Sequence, residues 1–480
     1  MHSLPKLARR AWQRLRSLWS AHLDSPVLKL GIFAVVVLGC LSLLFVAHAR
    51  PGYFNNQAYL AAFIFLQILV AAVWKFRQWF SVLLILSFVF AGTDLPLGAG
   101  WTTARWAVLT VGAVTGFVIF MRDRRYHFGA FHLISLFCVL AAFVSALVSY
   151  YPSVAFLKAA SLFLLFVYSS SGGRLAILGR QRDFFKGLLV GCEITVAFTA
   201  VTYFVLHQET WGNPNSLGLV MGTVIAPLLL WGVFISEVRP LRWRRASFLV
   251  LALALLVFSN SRAAMFACAV STTSLCVALR QRKIMIQGAA AILILIAVFA
   301  IIAPDRLADF SSSSTDTLLY KGKRQDGLLG SRTSPWQQTM DVIQQHPWFG
   351  SGFGTSPSGT ENMRVQVTSS TTETSREHGS SYLALLEWVG LVGIAPFCVL
   401  IVLLLIVVIR VFAWMRRMAD PFHPAVPLAT IVLGGLVHAA FEDWLFAVGY
   451  YLCVFYWPLA FSLIDFAPAR ESSVAQPSTQ

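Results

Sequence analysis

Long apolar runs separated by short polar segments recur along nearly the whole chain. A run of roughly 17 to 25 apolar residues is long enough for a helix to cross the hydrocarbon core of a bilayer. The pattern therefore predicts an all-α polytopic membrane protein with about 14 transmembrane helices, or about 12 to 14 if short runs are combined. The runs occupy residues 27–48, 57–74, 79–97, 102–121, 129–150, 154–171, 187–206, 216–236, 247–260, 263–280, 284–303, 382–409, 425–441 and 446–465.

The pair of runs around Asn260 allows two interpretations. Residues 247–280 could form two spans joined by a tight turn, or one broken helix, because the first run is short. The distribution of basic residues favours two spans.

One polar stretch, residues 304–381, interrupts the apolar pattern. It is too long for an ordinary connection, and its middle carries a helix signal. Ser334 as N-cap, Pro335 at the first helical position and Gln337 at the third predict a capping box, and His346 marks the end of the helix. We expect a short amphipathic helix that lies along the membrane surface.

Composition excludes a soluble protein and argues against a nucleic-acid binder. The chain has 480 residues, of which 57% are hydrophobic and 12% charged, and one soluble core could not hide so much apolar surface. The net charge of +16 comes from Lys and Arg in short clusters between apolar runs, not from one basic face. All seven cysteines lie inside apolar runs, where we expect them to be packing residues.

The basic clusters predict the orientation in the membrane. Cytoplasmic segments of membrane proteins are enriched in Lys and Arg, and this bias places the N-terminus inside and the long polar stretch outside. The predicted organisation is a basic cytoplasmic N-terminus (1–26), transmembrane helices 1–11 (27–303), a periplasmic loop (304–381), transmembrane helices 12–14 (382–466) and a disordered cytoplasmic tail (467–480).

Two arginines are candidates for binding an anion. Arg332 lies at the start of the predicted loop helix, where free amides and a guanidinium would suit a diphosphate, although a solvated arginine is the alternative. Arg262 lies between two apolar runs at membrane depth, where an unpaired charge is costly. It should therefore face a polar cavity or an anion, unless its side chain extends to the interface.

Two further basic residues adjoin the predicted outer surface. His378 could act as a general base at the mouth of the span 382–409, or it could be an interfacial histidine. Lys158, one turn into its span, could meet the same anion, although a lysine near the interface often extends its ammonium into water.

His438 and Glu442 are four residues apart, which predicts a shared helix face near the outer end of the span 425–441, with Asp443 beside them. One histidine and two acids are a weak metal signal, and a hydrogen-bonded pair that positions loop residues is the preferred interpretation. The sequence therefore predicts no metal and no cofactor.

Several motifs in fixed order resemble the O-antigen ligase and polymerase superfamily, mainly over residues 250–400. They are Ser261-Arg262-Ala263-Ala264, Arg332 with Trp336, His346-Pro347-Trp348-Phe349-Gly350-Ser351-Gly352, His378 before Tyr382-Leu383, and Glu387-Trp388-Val389-Gly390-Leu391, with Gly212-Asn213-Pro214-Asn215-Ser216 as an upstream match.

The resemblance implies a metal-independent glycosyltransferase of the bacterial inner membrane. Such an enzyme moves a glycan from undecaprenyl diphosphate to an acceptor hydroxyl at the outer face, with membrane lipid around it and no nucleic acid as partner. By similarity, Arg262 and Arg332 would bind the diphosphate, and His378 would position or deprotonate the acceptor hydroxyl. We further expect Trp336 and Asn215, which lie in these motifs, to bind substrate, together with Lys158, Glu442 and His438.

The nature of the acceptor stays open. Lipid A core would make the protein a ligase, a second carrier-linked repeat an O-antigen or exopolysaccharide polymerase, and a protein acceptor an oligosaccharyltransferase. A non-enzymatic transporter of lipid-linked glycans is the alternative from another class, but it would place charges along a path through the middle of the spans.

Overall fold

A computed structural model describes residues 77–93, 98–122, 128–283, 286, 330–356 and 377–468. Within these ranges every regular element is a helix, and six helical segments are long and apolar enough to cross a membrane. The predicted all-α membrane fold is confirmed at this level. The total of about 14 spans stays a prediction, because the runs 27–48, 57–74 and almost all of 284–303 lie outside the described residues.

The described helices are labelled α1 to α14 in chain order. The first seven are α1 (Arg77–Gly92), α2 (Gly98–Arg122), α3 (Ala130–Leu147), α4 (Pro152–Ser170), α5 (Gly172–Ile177), α6 (Gln181–Ala200) and α7 (Pro214–Leu219). The others are α8 (Ala226–Phe234), α9 (Arg239–Phe258), α10 (Arg262–Ala278), α11 (Gly330–Gln345), α12 (Ser381–Met418), α13 (Ala425–His438) and α14 (Tyr451–Phe466). Two π-helical segments, Val201–Val205 and Val220–Ile225, extend α6 and join α7 to α8.

The region around Asn260 forms two helices, as the charges predicted. α9 ends at Phe258 and α10 begins at Arg262, and the chain reverses between them because Asn260 has a φ of 53° in the left-handed region. Asparagine tolerates this conformation better than most residues. Arg262 therefore lies at the first turn of a helix.

The helix formed by α7, its π-helical segment and α8 passes through the middle of the bundle and is almost wholly buried by α9, α10 and α13. Small residues permit the close approach. A Cβ at Gly222 would lie 2.6 Å from the carbonyl oxygen of Ala264, and one at Gly218 would lie 2.4 Å from the Cβ of Ser261. Close backbone contact through small residues is typical of helix packing in membranes.

The two ends of the bundle differ in chemistry. At one end, Arg280 donates from Nε to the carbonyl of Arg416 at 3.0 Å, and the ends of α10 and α12 meet there. Arg174 of α5 forms a buried bidentate ion pair with Asp465 of α14, with distances of 2.6 Å and 2.5 Å. The opposite end, where α10 and α12 begin, holds the candidate site.

The helix predicted in the polar stretch is present as α11, but its predicted start is wrong. α11 begins at Gly330, so Pro335 lies inside the helix and Ser334 is not its N-cap. Arg332 is part of its first turn, where ion pairs with Glu377 and Glu442 hold the residues before the proline. Tertiary contacts thus override the local capping signal.

Candidate functional site

α12 is interrupted at Gly390. This residue has φ 66° and ψ −176°, a conformation essentially restricted to glycine. Beyond the interruption, the amides of Leu391 and Val392 donate to the carbonyls of Pro347 at 2.8 Å and Trp348 at 3.0 Å. The segment after α11 therefore supplies hydrogen bonds that the broken helix lacks.

The same segment pairs with the carbonyls before the interruption. The amides of Ser351 and Gly352 donate to the carbonyls of Glu387 at 2.9 Å and Trp388 at 3.2 Å. A Cβ at Gly350 would lie 2.3 Å from the carbonyl oxygen of Trp388, so only glycine permits the contact. We call residues 347–356 the docking segment, since its backbone is fixed against α12.

Lys158 of α4 holds the far end of the docking segment. Its Nζ donates to the carbonyl of Gly354, and Ser149 and Thr355 share a hydrogen bond of 2.9 Å between their hydroxyls. Lys158 is partly buried beside the glycine, where a Cβ on Gly354 would lie 2.6 Å from the lysine Cδ. The structure thus shows Lys158 bound to a loop carbonyl, and its contact with a substrate stays a prediction.

His378 lies directly before α12 and is completely buried. Its Nδ1 is 2.9 Å from Oδ2 of Asp443, which also accepts the backbone amide of His378 at 3.0 Å. Its Nε2 is 2.9 Å from the hydroxyl of Ser356 and 3.3 Å from Oε1 of Glu387. The ring also packs edge-on against Trp388, with centroids 5.4 Å apart.

The carboxylates determine the charge of this histidine. Burial by itself would lower the pKa of His378, but hydrogen bonds to Asp443 and Glu387 and the charges of both carboxylates raise it above its ordinary value. The pKa of Asp443 is lowered in turn: burial would raise it, but the hydrogen bonds and the charge of His378 outweigh burial. An imidazolium that donates from both ring nitrogens fits this environment.

Ser356, His378 and Asp443 have the spacing of a Ser-His-Asp triad but not its hydrogen bonding. The hydroxyl of Ser356 donates to Oε1 of Glu387 at 2.6 Å, so its proton is not directed at the imidazole. Ser356 and Glu387, the two partners of Nε2, are both buried. The cluster is therefore arranged to hold a charged histidine, not to activate a serine.

Arg332, on the first turn of α11, lies against Gly379 and so beside this cluster. Its Nη1 is 2.6 Å from Oε1 of Glu377, and its Nη2 forms an ion pair with Oε1 of Glu442. Trp336, one turn later, donates from Nε1 to the carbonyl of Gly379 at 3.2 Å. A Cβ at Gly379 would lie 3.1 Å from Cδ of Arg332, so the glycine leaves room for the guanidinium.

Arg262 reaches the same region from the first turn of α10. It lies close enough to Arg332 for the two positive charges to act on one another. Neighbouring cations of this kind repel unless anions compensate them, and they form a natural site for a dianion. The structure thus brings together two arginines that are 70 positions apart in the sequence.

The upstream motif containing Asn215 adjoins the site through α7. Asn213 caps this helix by accepting the amide of Ser216 at 2.7 Å, and Asn215 is partly buried in its first turn. The hydroxyl of Tyr450 lies 2.9 Å from that of Ser216 and within electrostatic range of Glu442. Asn215 therefore lies on a helix that adjoins the site through Ser216 and Tyr450, and its contact with a substrate stays a prediction.

The predicted shared face of His438 and Glu442 is wrong. α13 ends at His438, because the amides of Ala440 and Phe441 make three-residue turns instead of continuing the helix. His438 is buried and accepts Nε1 of Trp444 at 3.0 Å on Nδ1, whereas Glu442 binds Arg332. The two side chains thus have different partners.

Within the described ranges, no group of three or more His, Cys, Asp or Glu side chains is placed to hold a metal ion. Each ring nitrogen of His378 lies within 3.3 Å of a carboxylate oxygen. The absence of a metal from the reaction stays a prediction.

Four further members of the site were not predicted from the sequence: Ser356, Glu377, Glu387 and Asp443. Glu387 begins one of the motifs that resemble the superfamily, and Asp443 follows Glu442 in the sequence. No spacing in the sequence linked either acid to His378. A buried Glu on an apolar helix is the one signal that could have identified Glu387, because an acid rarely lies in such a run without a partner.

The comparisons with known proteins agree with this geometry. No curated protein matches the chain. Residues 247–398 match the family model described as O-antigen ligase, and this segment holds Arg262, Arg332, His378 and Glu387, whereas Glu442 and Asp443 lie beyond it. Residues 247–398 are therefore similar to the O-antigen ligase family.

Proposed function

We propose that the protein transfers a glycan from an undecaprenyl diphosphate carrier to an acceptor hydroxyl at the outer face of a bacterial inner membrane. The observation that carries the proposal is the approach of Arg262 and Arg332 at one end of the bundle, beside a buried histidine cluster. Similarity to the O-antigen ligase family supports it, since that family implies a lipid-linked glycan and a glycan acceptor as substrates.

The two arginines suit the leaving group of this reaction. The acceptor oxygen forms a bond to the anomeric carbon, and the bond from that carbon to the diphosphate breaks. Negative charge on the diphosphate increases as the bond breaks, so guanidinium groups in a partly dry site stabilise the transition state more than the ground state. Arg262 and Arg332 take this role.

The remaining residues position the substrates. His378, held by Asp443 and Glu387, orders the start of α12 beneath the arginines. Trp336, Asn215, Glu442 and His438 would border the glycan or support the groups that do, and Lys158 would act through the docking segment.

The basic clusters support an outward-facing site. Exposed Arg282 follows α10, and Arg416 and Arg417 end α12, at the opposite end of the bundle from Arg332. Because cytoplasmic segments are rich in Lys and Arg, this end would face the cytoplasm. The arginine site would then face the periplasm.

The test is transfer by the purified protein in liposomes, with an undecaprenyl-diphosphate-linked glycan and an acceptor. Arg262→Ala and Arg332→Ala should each lower the rate of transfer by at least about 10²-fold, because each removes a charge from the leaving-group site. Arg282→Ala, which removes an arginine from the opposite end, is the matched control and should keep the wild-type rate. Wild-type rates in both site variants would contradict the proposal.

The choice of acceptor in the same assay separates the alternatives. Transfer to lipid A core identifies a ligase, and transfer to a second carrier-linked glycan identifies a polymerase. Movement of an unchanged donor across the bilayer, with no new glycosidic bond, would instead identify a transporter.

A further inference from the structure

Arg332 is already neutralised in the described structure. Nη1 pairs with Glu377 and Nη2 with Glu442, so a diphosphate that binds this guanidinium must replace a carboxylate. The side chain of Glu377 is 61% exposed, and that of Glu442 is 16% exposed. An exposed ion pair is worth at most about 1 kcal/mol, so Glu377 is the easier of the two to displace.

The backbone of Glu442 is held by hydrogen bonds, whereas the side chain of Glu377 is largely exposed. The carbonyl of Glu442 accepts the amide of Ser381 at 3.0 Å and its hydroxyl at 2.6 Å. The hydroxyl of Ser381 also accepts the amide of Leu445 at 3.1 Å. The start of α12 thus anchors the backbone of Glu442, and the carboxylate keeps its place beside Arg332.

Four carboxylates surround the arginine and histidine cluster, but only one is suited to accept a proton from an acceptor. Asp443 and Glu387 are bound to the ring nitrogens of His378, and Glu387 is completely buried. Glu377 is largely exposed to solvent. Glu442 is partly exposed, and among the described residues its Oε2 has no hydrogen-bond partner.

His378 itself is not available as a base. Both ring nitrogens face carboxylates or the hydroxyl of Ser356, and the side chain is 1% exposed. An acceptor hydroxyl could therefore reach neither ring nitrogen without displacing a buried partner.

We propose that Glu442 is the general base of the transfer reaction, and that Arg332 holds this carboxylate next to the leaving diphosphate. The proposal rests on the proposed function. The donor diphosphate replaces Glu377 on Nη1, while Oε1 of Glu442 remains on Nη2. One guanidinium then touches both the leaving group and the base, and Oε2 faces the acceptor hydroxyl.

The step balances in atoms and charge. The acceptor oxygen attacks the anomeric carbon, its proton passes to Oε2 of Glu442, and the bond electrons leave with the diphosphate. The proton is later released to water, which regenerates the carboxylate. Arg262 and Arg332 compensate the charge that the diphosphate gains.

The surroundings of Glu442 favour this role. Burial raises the pKa of Glu442, Arg332 lowers it, and Glu377 and Asp443 raise it, with a net increase above the ordinary value. Tyr450 also faces this carboxylate, and Arg262 faces Arg332. A bound dianion would raise the pKa of Glu442 further, and a base is most effective when its pKa approaches the working pH.

The test compares Glu442→Gln with Glu377→Gln, which removes the same charge from the other nitrogen of Arg332. In liposomes with the lipid-linked glycan, Glu442→Gln should lower kcat by about 10² to 10⁴-fold with the donor KM within a few-fold of wild type. Glu377→Gln removes the carboxylate that the diphosphate replaces, so it should lower the donor KM, and its effect on kcat should be far smaller than that of Glu442→Gln. In the wild-type protein kcat should fall at low pH, because protonated Glu442 cannot act as a base, and this fall should be absent in Glu442→Gln.

Two further variants separate chemistry from folding. Glu442→Asp keeps a carboxylate and should retain partial activity together with the loss at low pH. Azide is an anion at neutral pH and needs no base, so it should restore turnover in Glu442→Ala by forming a glycosyl azide. A merely structural role of Glu442 predicts no rescue.

Three outcomes overturn the inference: a kcat for Glu442→Gln within tenfold of wild type, absence of azide rescue in a folded Glu442→Ala protein, or loss of the acid limb only in His378→Gln. Wild-type protein that makes no glycosidic product from any lipid-linked donor overturns the proposed function itself, and the inference with it.

Discussion

Gly390→Ala tests whether the interruption of α12 shapes the site. The alanine would need a backbone conformation that costs about 1 to 3 kcal/mol outside glycine, and its Cβ would lie 2.5 Å from the amide nitrogen of Gly350. Overpacking of this kind costs roughly another 1 to 3 kcal/mol. If the docking segment instead moves away, four backbone hydrogen bonds are lost, at about 0.5 to 1.5 kcal/mol each.

Both routes therefore lead to a destabilisation of about 2 to 6 kcal/mol. The melting temperature should fall by on the order of 10 °C, which a thiol-reactive dye can follow as buried cysteines such as Cys268 and Cys453 become accessible. Exposed Cys398 sets the baseline signal. The rate of glycan transfer should fall by about 10²-fold, since the docking segment carries Ser356 to His378.

Gly191→Ala is the matched control. Gly191 lies in α6, and a Cβ there would meet nothing within 4 Å, so the substitution should change stability by about 1 kcal/mol or less. A Gly390→Ala protein that melts within about 1 °C of wild type and transfers glycan at the wild-type rate would refute this account of the docking segment.

Two other predictions concern the same network. Because the pKa of His378 is raised in the folded protein, the contribution of this histidine to stability is fully present below its ordinary pKa of about 6.5 and is lost as the pH rises through the raised pKa. The pKa of Asp443 is lowered, so its contribution to stability is present above about pH 3.9 and is lost as the pH falls. The wild-type melting temperature should therefore fall more steeply than that of His378→Gln between about pH 6 and 9, and equal slopes would contradict the charged histidine. Lys158→Met removes the hydrogen bond to Gly354, so it should lower both the melting temperature and kcat while the donor KM stays within about threefold of wild type. A large rise in KM with unchanged stability would instead identify Lys158 as an anion ligand.

Some features of the fold could be predicted because residues close together in the sequence determine them. Apolar runs of sufficient length must form helices in a bilayer, where every backbone group needs an internal partner. The division of residues 247–280 into two helices was likewise predictable from the distribution of basic residues, although the short first run by itself left one broken helix open. The helix around Trp336 had a local signal, but the capping signal at Ser334 placed its start wrongly, because contacts with Glu377 and Glu442 extend the helix to Gly330.

The sequence by itself determined the helical membrane fold and the presence of Arg262, Arg332 and His378 in recognisable motifs. Only the tertiary structure decided which partners these side chains have and how those partners affect their charge. Arg332 has two carboxylate partners and His378 lies buried between two others. Glu377 precedes α12, Glu387 lies within it, and the consecutive Glu442 and Asp443 follow α13, so no sequence periodicity relates the four acids. Charge in a low-dielectric site depends on distances of a few ångströms, and the packing of α10, α11 and α12 sets those distances.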